Sequence, residues 1–215
     1  MIYASVMSRR ERKRLKTSQK IATTALRLFA KRGFDEVTIS EIADAADVAR
    51  GTLFRYFPTK ESLVLAAIGD DDPARIVADR SAGTSLFDAL RNHYKAFAAN
   101  PGVGAESDLL PILRVITNSA ALATAVNRLY DGQRDSLAQV LASEAEGEDE
   151  LIPKVVAGQI CATILAIKAN FFHRLASGKD LAQVSAQLPA DVDAAFGLLE
   201  HGIADLYRKK RPREK

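Results

Sequence analysis

The chain has 215 residues, of which 47% are apolar and 27% charged, and its formal net charge is +3. This length predicts a small domain joined to a medium-sized one. The single cysteine, Cys161, excludes an intrachain disulfide and a zinc site built from several cysteines. Because the sequence has no uncharged apolar run approaching about 18 residues and no secretory leader, we expect a cytoplasmic protein without a membrane partner.

The charge is unevenly distributed along the chain. Residues 1–20 carry a net charge of +6, residues 206–215 carry +5, and the remaining residues carry −8. Basic segments around an acidic body favour contact with a polyanion. The alternative is that both ends are solvated tails, and we favour that interpretation for residues 208–215. Residues 1–15 are predicted to be a basic, flexible arm.

An amphipathic first helix is predicted from Ile21 onward, because Ile21, Ala25, Leu28 and Phe29 recur at helical spacing. Gly33 is placed to end this helix in the left-handed conformation. Phe34 would then pack back against Phe29, which is the apolar contact of a Schellman ending.

Two short helices follow. Thr38 and Glu41 have the spacing of a capping box, which predicts a helix that starts after Thr38 and continues through Ala46. Residues 47–49 interrupt it, and a second helix begins at Arg50 and must end before Pro58. Two short helices across a three-residue turn predict a helix-turn-helix.

The second of these helices carries polar residues on its predicted exposed side. Arg50, Thr52, Arg55 and Tyr56 are suited to base edges and phosphates. The alternative is an ordinary solvated helix face.

Residues 16–65 resemble the TetR family of transcriptional regulators. The resemblance is carried by the residues at 25–34, 37–43, 48–57 and 58–63, which read ALRLFAKRGF, VTISEIA, VARGTLFRYF and PTKESL. It implies an all-α fold, with a three-helix helix-turn-helix DNA-binding domain at 16–62 and a helical ligand-binding and dimerisation domain at 63–207. Residues 208–215 form the basic tail.

The resemblance also implies which residues contact DNA. Arg50 and Thr52 would read the major groove, Gly51 would allow close approach of the DNA, and Tyr56 and Lys60 would hold phosphates. The full predicted set is Thr38, Ser40, Arg50, Gly51, Thr52, Arg55, Tyr56 and Lys60. Two positions depart from the family pattern: Phe54 replaces a tyrosine, and Ala49 replaces a serine or threonine that would cap the recognition helix.

Five further helices are predicted, at 84–100, 106–118, 120–145, 149–177 and 191–207, with Pro189 as a boundary before the last. Residues 155–172 are apolar on more than one side, so this helix needs two apolar neighbours, one of which can be a second copy of the chain. By the family resemblance, the last two helices pair across a two-fold axis in a homodimer. The predicted interface residues are Ile160, Ile164, Ile167, Val192, Phe196, Leu199 and Ile203. The alternative is that they form the monomer core.

The family resemblance places an effector cavity among the middle helices. The candidate lining residues are His93, Tyr94, Phe97, Leu113, Arg114, Ile116, Tyr130, Leu165, Asn170 and Phe171. Their mostly apolar character favours a hydrophobic or amphipathic molecule. We expect no metal and no cofactor, because His93 has no second ligand at metal-binding spacing.

The predicted function is therefore a ligand-responsive repressor that binds a palindromic double-stranded DNA operator as a homodimer. An enzyme is disfavoured because the sequence contains no phosphate-binding loop and no nucleophile or metalloprotease motif. The remaining alternative is a helical adaptor that uses the helix-turn-helix to bind protein, and the basic residues ahead of the first helix argue against it.

Overall fold

The computed structural model describes residues 8–68, 71–99, 114–116, 118–145 and 150–202. These residues are mostly helical and contain no strand, which confirms the predicted all-α fold. The helices among them are α1 (Arg9–Arg32), α2 (Ile39–Ala45), α3 (Arg50–Tyr56), α4 (Ser62–Ile68), α5 (Pro73–Ala78), α6 (Leu86–Ala99), α7 (Ala120–Glu144), α8 (Leu151–Ala176) and α9 (Leu181–His201). Residues 114–116 are also helical.

The chain divides into two compact units. The first consists of Met1–Asp70 with Ser107–Arg128, and the second of Asp71–Glu106 with Leu129–Lys215. The sequence placed the boundary between residues 62 and 63, whereas the first unit includes all of α4. It also includes a later segment, because Val115 and Leu122 are buried in its apolar core.

The core of the first unit explains how its helices are held. Helix α1 packs against α2 and α4, and α2 packs against α3. Ile21, Phe29 and Leu53 are fully buried there. The predicted end of α1 is confirmed: Gly33 has a φ of +88°, and the Phe29 and Phe34 ring centroids lie 5.0 Å apart. The Gly33 amide donates to the Phe29 carbonyl at 2.8 Å, the bond of the simpler left-handed ending rather than the Schellman pair.

Helix α1 begins at Arg9, so residues 9–15 are helical rather than a flexible arm. Arginine and lysine have high intrinsic helix propensity, and no glycine or proline interrupts the chain before Gly33. The apolar periodicity that predicted the helix starts only where α1 enters the core, at Ile21. The prediction therefore missed the exposed part of the same helix.

In the second unit, α9 packs against α6 and α8, and α5 packs against α6. Ion pairs also connect elements of this unit. Arg80, which follows α5, holds Glu144 at the end of α7 with two bonds of 2.7 Å, and Arg91 on α6 contacts Glu200 on α9 at 2.6 Å.

Two helices of the second unit differ from the predictions. Helix α5 was not predicted; Pro73 is its first residue, and the Asp72 carboxylate accepts from the Ala74 amide at 3.0 Å. Helix α9 begins at Leu181 rather than at residue 191, and Pro189 lies inside it. The Asp180 side chain caps this earlier start by accepting from the Gln183 amide at 2.7 Å. Burial of Val184 and Leu188 then holds the turns before the proline.

Helix α8 is long and apolar enough to cross a membrane by length and composition alone, although a third of its most apolar window is buried within the chain. The core helix of a soluble protein meets the same criteria. Its buried side carries Ile160, Ile164 and Ile167. The rest of this helix leaves an uncharged face exposed.

Candidate nucleic-acid interface

The turn between α2 and α3 is fixed by hydrogen bonds from the end of α2. The Val48 amide donates to the Ala43 carbonyl at 3.0 Å, and the Asp47 amide donates to the Asp44 carbonyl at 3.0 Å. Asp47 occupies the left-handed region with a φ of +52°. This is a Schellman ending with aspartate in the position that favours glycine. It sets the direction in which α3 leaves the turn.

The start of α2 is held by the predicted capping box, which is confirmed. The Thr38 hydroxyl accepts from the Glu41 amide at 3.2 Å, and the Glu41 carboxylate accepts from the Thr38 amide at 2.8 Å. The Arg32 guanidinium lies 2.6 Å from the same carboxylate. Arg32, together with the Thr38 donors, lowers the pKa of Glu41 to about 2. Because the Thr38 hydroxyl also donates to Glu41 at 2.8 Å, it can contact a phosphate only by changing partner.

Helix α3 presents a polar face to solvent. Leu53 within the helix and Phe57, which directly follows its last residue, are buried on the inner side. Arg50, Gly51 and Arg55 are exposed on the other side. Among the described residues, Arg50 has no ion-pair partner, so its guanidinium is available to an external anion.

The other residues near α3 that were predicted to contact DNA are less exposed to solvent. Thr52 and Tyr56 are half-buried, as is Ser40 on α2. The Arg55 guanidinium lies 5.6 Å from the centroid of the Tyr56 ring. Phe54 is 43% exposed, which places an apolar ring on the same short helix.

Two features of α3 have no structural benefit within the chain. Ala49 is the N-cap residue and provides no side-chain hydrogen bond to the first turn. Gly51 lies in the helix, yet a β-carbon added there would have no atom within 4 Å. Both positions lower the intrinsic stability of the helix, and both leave its N-terminal surface open.

Lys60 is placed differently from the predicted phosphate contact. Its ammonium lies 4.3 Å from the centroid of the Phe34 ring and donates to the Asp35 carbonyl at 3.4 Å. Burial lowers the pKa of Lys60 despite the nearby Asp35 carboxylate. In this conformation the side chain fastens the start of α4 to the end of α1. Replacing Lys60 would therefore change the stability of the first unit as well as any phosphate contact.

A second group of polar residues lies within the second unit and is called here the Asp71 cluster. It consists of Asp71, His93, Tyr94, Tyr130, Gln133 and Lys168. The Asp71 carboxylate lies 2.7 Å from the His93 ring nitrogen Nε2 and 2.7 Å from the Lys168 ammonium. Burial alone would raise the pKa of Asp71, but the bonds from His93 and Lys168 lower it. The carboxylate is therefore held as an anion.

Tyr94 carries the unsatisfied group of this cluster. Its side chain is 4% exposed, and its buried hydroxyl forms no hydrogen bond with any described residue. Burial, together with the Asp71 charge, raises the pKa of Tyr94, so the phenol stays protonated. A buried donor without an acceptor is costly, which makes this hydroxyl a candidate contact for a bound molecule.

Three members of the Asp71 cluster, Asp71, Gln133 and Lys168, were not predicted from the sequence. Lys168 had a usable signal, because it is the only charged residue between 155 and 172. A lone cation in such a run needs an anionic partner if it is buried. The partner could not be identified, because Asp71 lies far away in the sequence within a run of three aspartates.

Comparison with known proteins agrees with the geometry of the first unit. The model for the tetR family of bacterial regulatory proteins matches residues 21–67, which span the second half of α1, all of α2 and α3 and most of α4. The MftR regulator of Mycobacterium tuberculosis, described as a putative mycofactocin biosynthesis transcriptional regulator, is 29% identical over 91% of this chain and 96% of its own. Residues 21–67 of this chain therefore form a helix-turn-helix domain of the tetR-family type.

Other relatives extend the likeness. The HTH-type transcriptional regulator TcmR of Streptomyces glaucescens is 24% identical over 86% of this chain and 85% of its own. Among solved structures, the repressor NalD of Pseudomonas aeruginosa matches 86% of this chain with a TM-score of 0.53 and 16% identity. The SmeT–triclosan complex matches 84% with a TM-score of 0.52 and 18% identity. These structures share the fold, and the named relatives are transcriptional regulators, so this chain is a DNA-binding transcriptional regulator.

The predicted effector residues are divided between the two units of the chain. His93, Tyr94 and Tyr130 belong to the Asp71 cluster. Arg114 and Ile116 lie in the first unit, where Ile116 packs against the apolar core, whereas Tyr94 lies in the second unit. Leu165 is half-buried and Phe171 is buried. Asn170 is exposed and donates to the Asp191 carboxylate at 3.4 Å. Leu113 and the side chain of Phe97 lie outside the described residues.

The predicted dimer residues need a larger correction. Ile160, Ile164, Ile167, Val192 and Phe196 are at most 6% exposed in the single chain. They form the core of the second unit and leave almost no surface for a partner. Leu199 is half-buried, and Ile203 lies outside the described residues. The sequence pattern showed which faces are apolar but not which of two apolar faces turns inward.

In the described part of the chain, no three histidine, cysteine or acidic side chains are grouped as metal ligands would be. Cys161 is half-buried, and burial raises the pKa of its thiol.

Proposed function

We propose that this regulator is a cytoplasmic repressor that binds a two-fold symmetric operator as a homodimer and releases it when a small amphipathic molecule binds the second unit. The observation that carries the proposal is the open polar face of α3, with an exposed Arg50 that has no ion-pair partner among the described residues.

The DNA-reading role is supported by side-chain chemistry. An arginine at the N-terminal end of a recognition helix can contact guanine O6 and N7 with two hydrogen bonds. Arg50 occupies this end of α3, and the adjacent Gly51 leaves room for the DNA backbone. The uncapped first turn can receive a phosphate, because a helix N-terminus attracts anions.

The homodimer is supported by the exposed faces of the last two helices. Exposed residues on α8 include Val155, Ala162 and Ala166 at helical spacing, and α9 exposes Ala194 and Leu198. Small uncharged side chains allow close approach of another helix. A two-fold axis would bring the same faces of two chains together.

The effector role of the second unit is supported by the Asp71 cluster. A molecule with an oxygen acceptor would satisfy the Tyr94 hydroxyl, and its apolar part could contact the Tyr94 and Phe196 rings, whose centroids lie 6.4 Å apart. SmeT, whose fold is similar, has been solved as a complex with the small molecule triclosan. Occupancy would oppose DNA binding only if the molecule prefers the conformation that does not bind DNA.

Selection of bound sequences from a random duplex pool tests the proposal. We expect enrichment of a two-fold symmetric consensus, with half-sites about one helical turn apart or at another spacing set by the dimer. Absence of any enrichment from a folded, dimeric protein would contradict DNA reading and favour the adaptor alternative.

A further inference from the structure

Helix α1 continues well beyond the core that it helps to form. The first fully buried residue is Ile21, so the residues from Arg9 to Lys20 extend from the folded unit as an exposed helix. Neither the tetR-family match, which begins at residue 21, nor the α3 face accounts for this extension.

The extension carries a continuous line of positive charge, called here the basic stripe. It comprises the exposed residues Arg9, Arg12, Lys13, Lys16, Lys20, Arg27 and Lys31. Their spacing of three, four and seven residues places them on one face of the helix. Ile21, Ala25 and Phe29 lie on the opposite, buried side.

Nothing among the described residues neutralises this line of charge. The ion pair that α1 makes with them is through Arg32, which lies outside the stripe. Seven like charges along about 33 Å of helix repel one another, and that repulsion is relieved by a polyanion. The stripe has roughly one charge per 5 Å, against one phosphate per about 3.4 Å of axis along a single DNA strand, so each cation can pair with a separate phosphate.

The composition of the extension distinguishes between polyanions. From Arg9 to Lys20 the apolar residue is Leu15, so this part of the helix has no apolar face to insert into a lipid surface. It also lacks aromatic side chains on which unpaired bases could stack. Duplex phosphates need neither feature.

From these observations we infer that the basic stripe binds the phosphate backbone of duplex DNA and supplies a sequence-independent part of the affinity. The inference rests on the proposed operator binding, but it assigns the salt-sensitive part of that binding to α1 and leaves base reading to α3. Contacts of this kind position a protein on DNA without specifying sequence.

The test measures binding of a fluorescein-labelled, scrambled duplex of about 30 base pairs, or three helical turns, by fluorescence anisotropy. The stripe variant replaces Lys13, Lys16 and Lys20 by glutamine, which has similar helix propensity. The charge-matched control replaces three exposed residues of the second unit by glutamine as well: Arg134, Lys154 and Lys179. A third variant, with arginine at the three stripe positions, keeps the charge.

Each lost phosphate contact should reduce the slope of log K against log salt by about 0.9. We expect the stripe variant to lose about 2 to 3 from this slope and at least tenfold in affinity near 0.1 M salt, with the arginine variant and the control close to wild type. Circular dichroism checks that the helix content is kept, and the arginine variant supports the inference independently by retaining the slope.

Equal losses in the stripe variant and the control would show a net-charge effect and overturn the inference, as would an unchanged slope in the stripe variant. Loss of preference between the selected and the scrambled duplex in the stripe variant would also overturn it, because the stripe would then read bases. Stripe-dependent binding to phosphatidylglycerol vesicles without any effect on duplex binding would assign the stripe to lipid instead. If the wild type binds no duplex at all, the proposed function itself fails.

Discussion

At the residue scale, two positions at the start of α3 are suboptimal for the free protein. Ala49 leaves the helix without a side-chain cap, and Gly51 costs backbone entropy without relieving any close contact. Such losses are common where a surface serves binding rather than stability. Substitutions at these two positions can separate the contribution of each residue to the stability of the free protein from its contribution to DNA binding.

Ala49→Ser is expected to stabilise the free protein by about 1 kcal/mol, because the new hydroxyl can accept from an amide of the first turn of α3. Urea denaturation measures the change. The control, Ala30→Ser, lies at an exposed position inside α1 and should be neutral or slightly destabilising. A lower or unchanged stability of the Ala49 variant would count against the capping argument.

Gly51→Ala should have effects of opposite sign on stability and on DNA binding. We expect a gain of up to about 1 kcal/mol in stability, since alanine favours the helix. Affinity for the selected duplex should fall by roughly tenfold, because the methyl group would meet the DNA backbone. Gly132→Ala, at an exposed helical glycine on α7, should stabilise without altering DNA binding. Unchanged affinity of the Gly51 variant would show that the DNA does not approach there.

At the element scale, the helix-turn-helix could be predicted because its signals are local. Gly33, Thr38 with Glu41, and Pro58 mark its boundaries within a few residues of each helix end. Pro189 misled the prediction for α9 because α6 and α8, the helices against which α9 packs, could not be identified from the local pattern, and because the Asp180 cap, which is a local signal, was not used. The Asp71 cluster was missed because its charged pair joins residues 71 and 168, which are not adjacent in sequence.

The proline inside α9 allows that explanation to be tested. Pro189→Ala should stabilise the protein by about 1 to 3 kcal/mol, because it supplies an amide for the Ser185 carbonyl and removes the ring clash. Thermal denaturation measures the effect, and Gln187→Ala, exposed on the same helix, should change stability much less. Destabilisation by Pro189→Ala would mean that the packing of α9 requires the proline.

At the scale of the whole molecule, the sequence identified the helices that carry the apolar stripes but not the face available to a second chain. Burial of Ile164 and Phe196 assigns one stripe on each helix to the monomer core. The proposed dimer therefore depends on the other faces, which carry small residues such as Ala166 and Ala194.

A buried charge at that face should separate the subunits. Ala166→Glu is expected to convert the dimer to a monomer at micromolar concentration, because the carboxylate would be desolvated against the partner. Ala142→Glu, at an exposed position on α7, is the matched control and should leave the dimer intact. Sedimentation equilibrium distinguishes the two, and a dimeric Ala166 variant would place the interface elsewhere.

Base reading by α3 is tested most directly by comparing wild type and Arg50→Ala on the selected duplex and on its scrambled counterpart at physiological salt. The variant should lose about 1 to 3 kcal/mol on the selected duplex while keeping its affinity for the scrambled one. An equal loss on both duplexes, or no loss on either, would contradict the assignment of Arg50 as a base-reading residue.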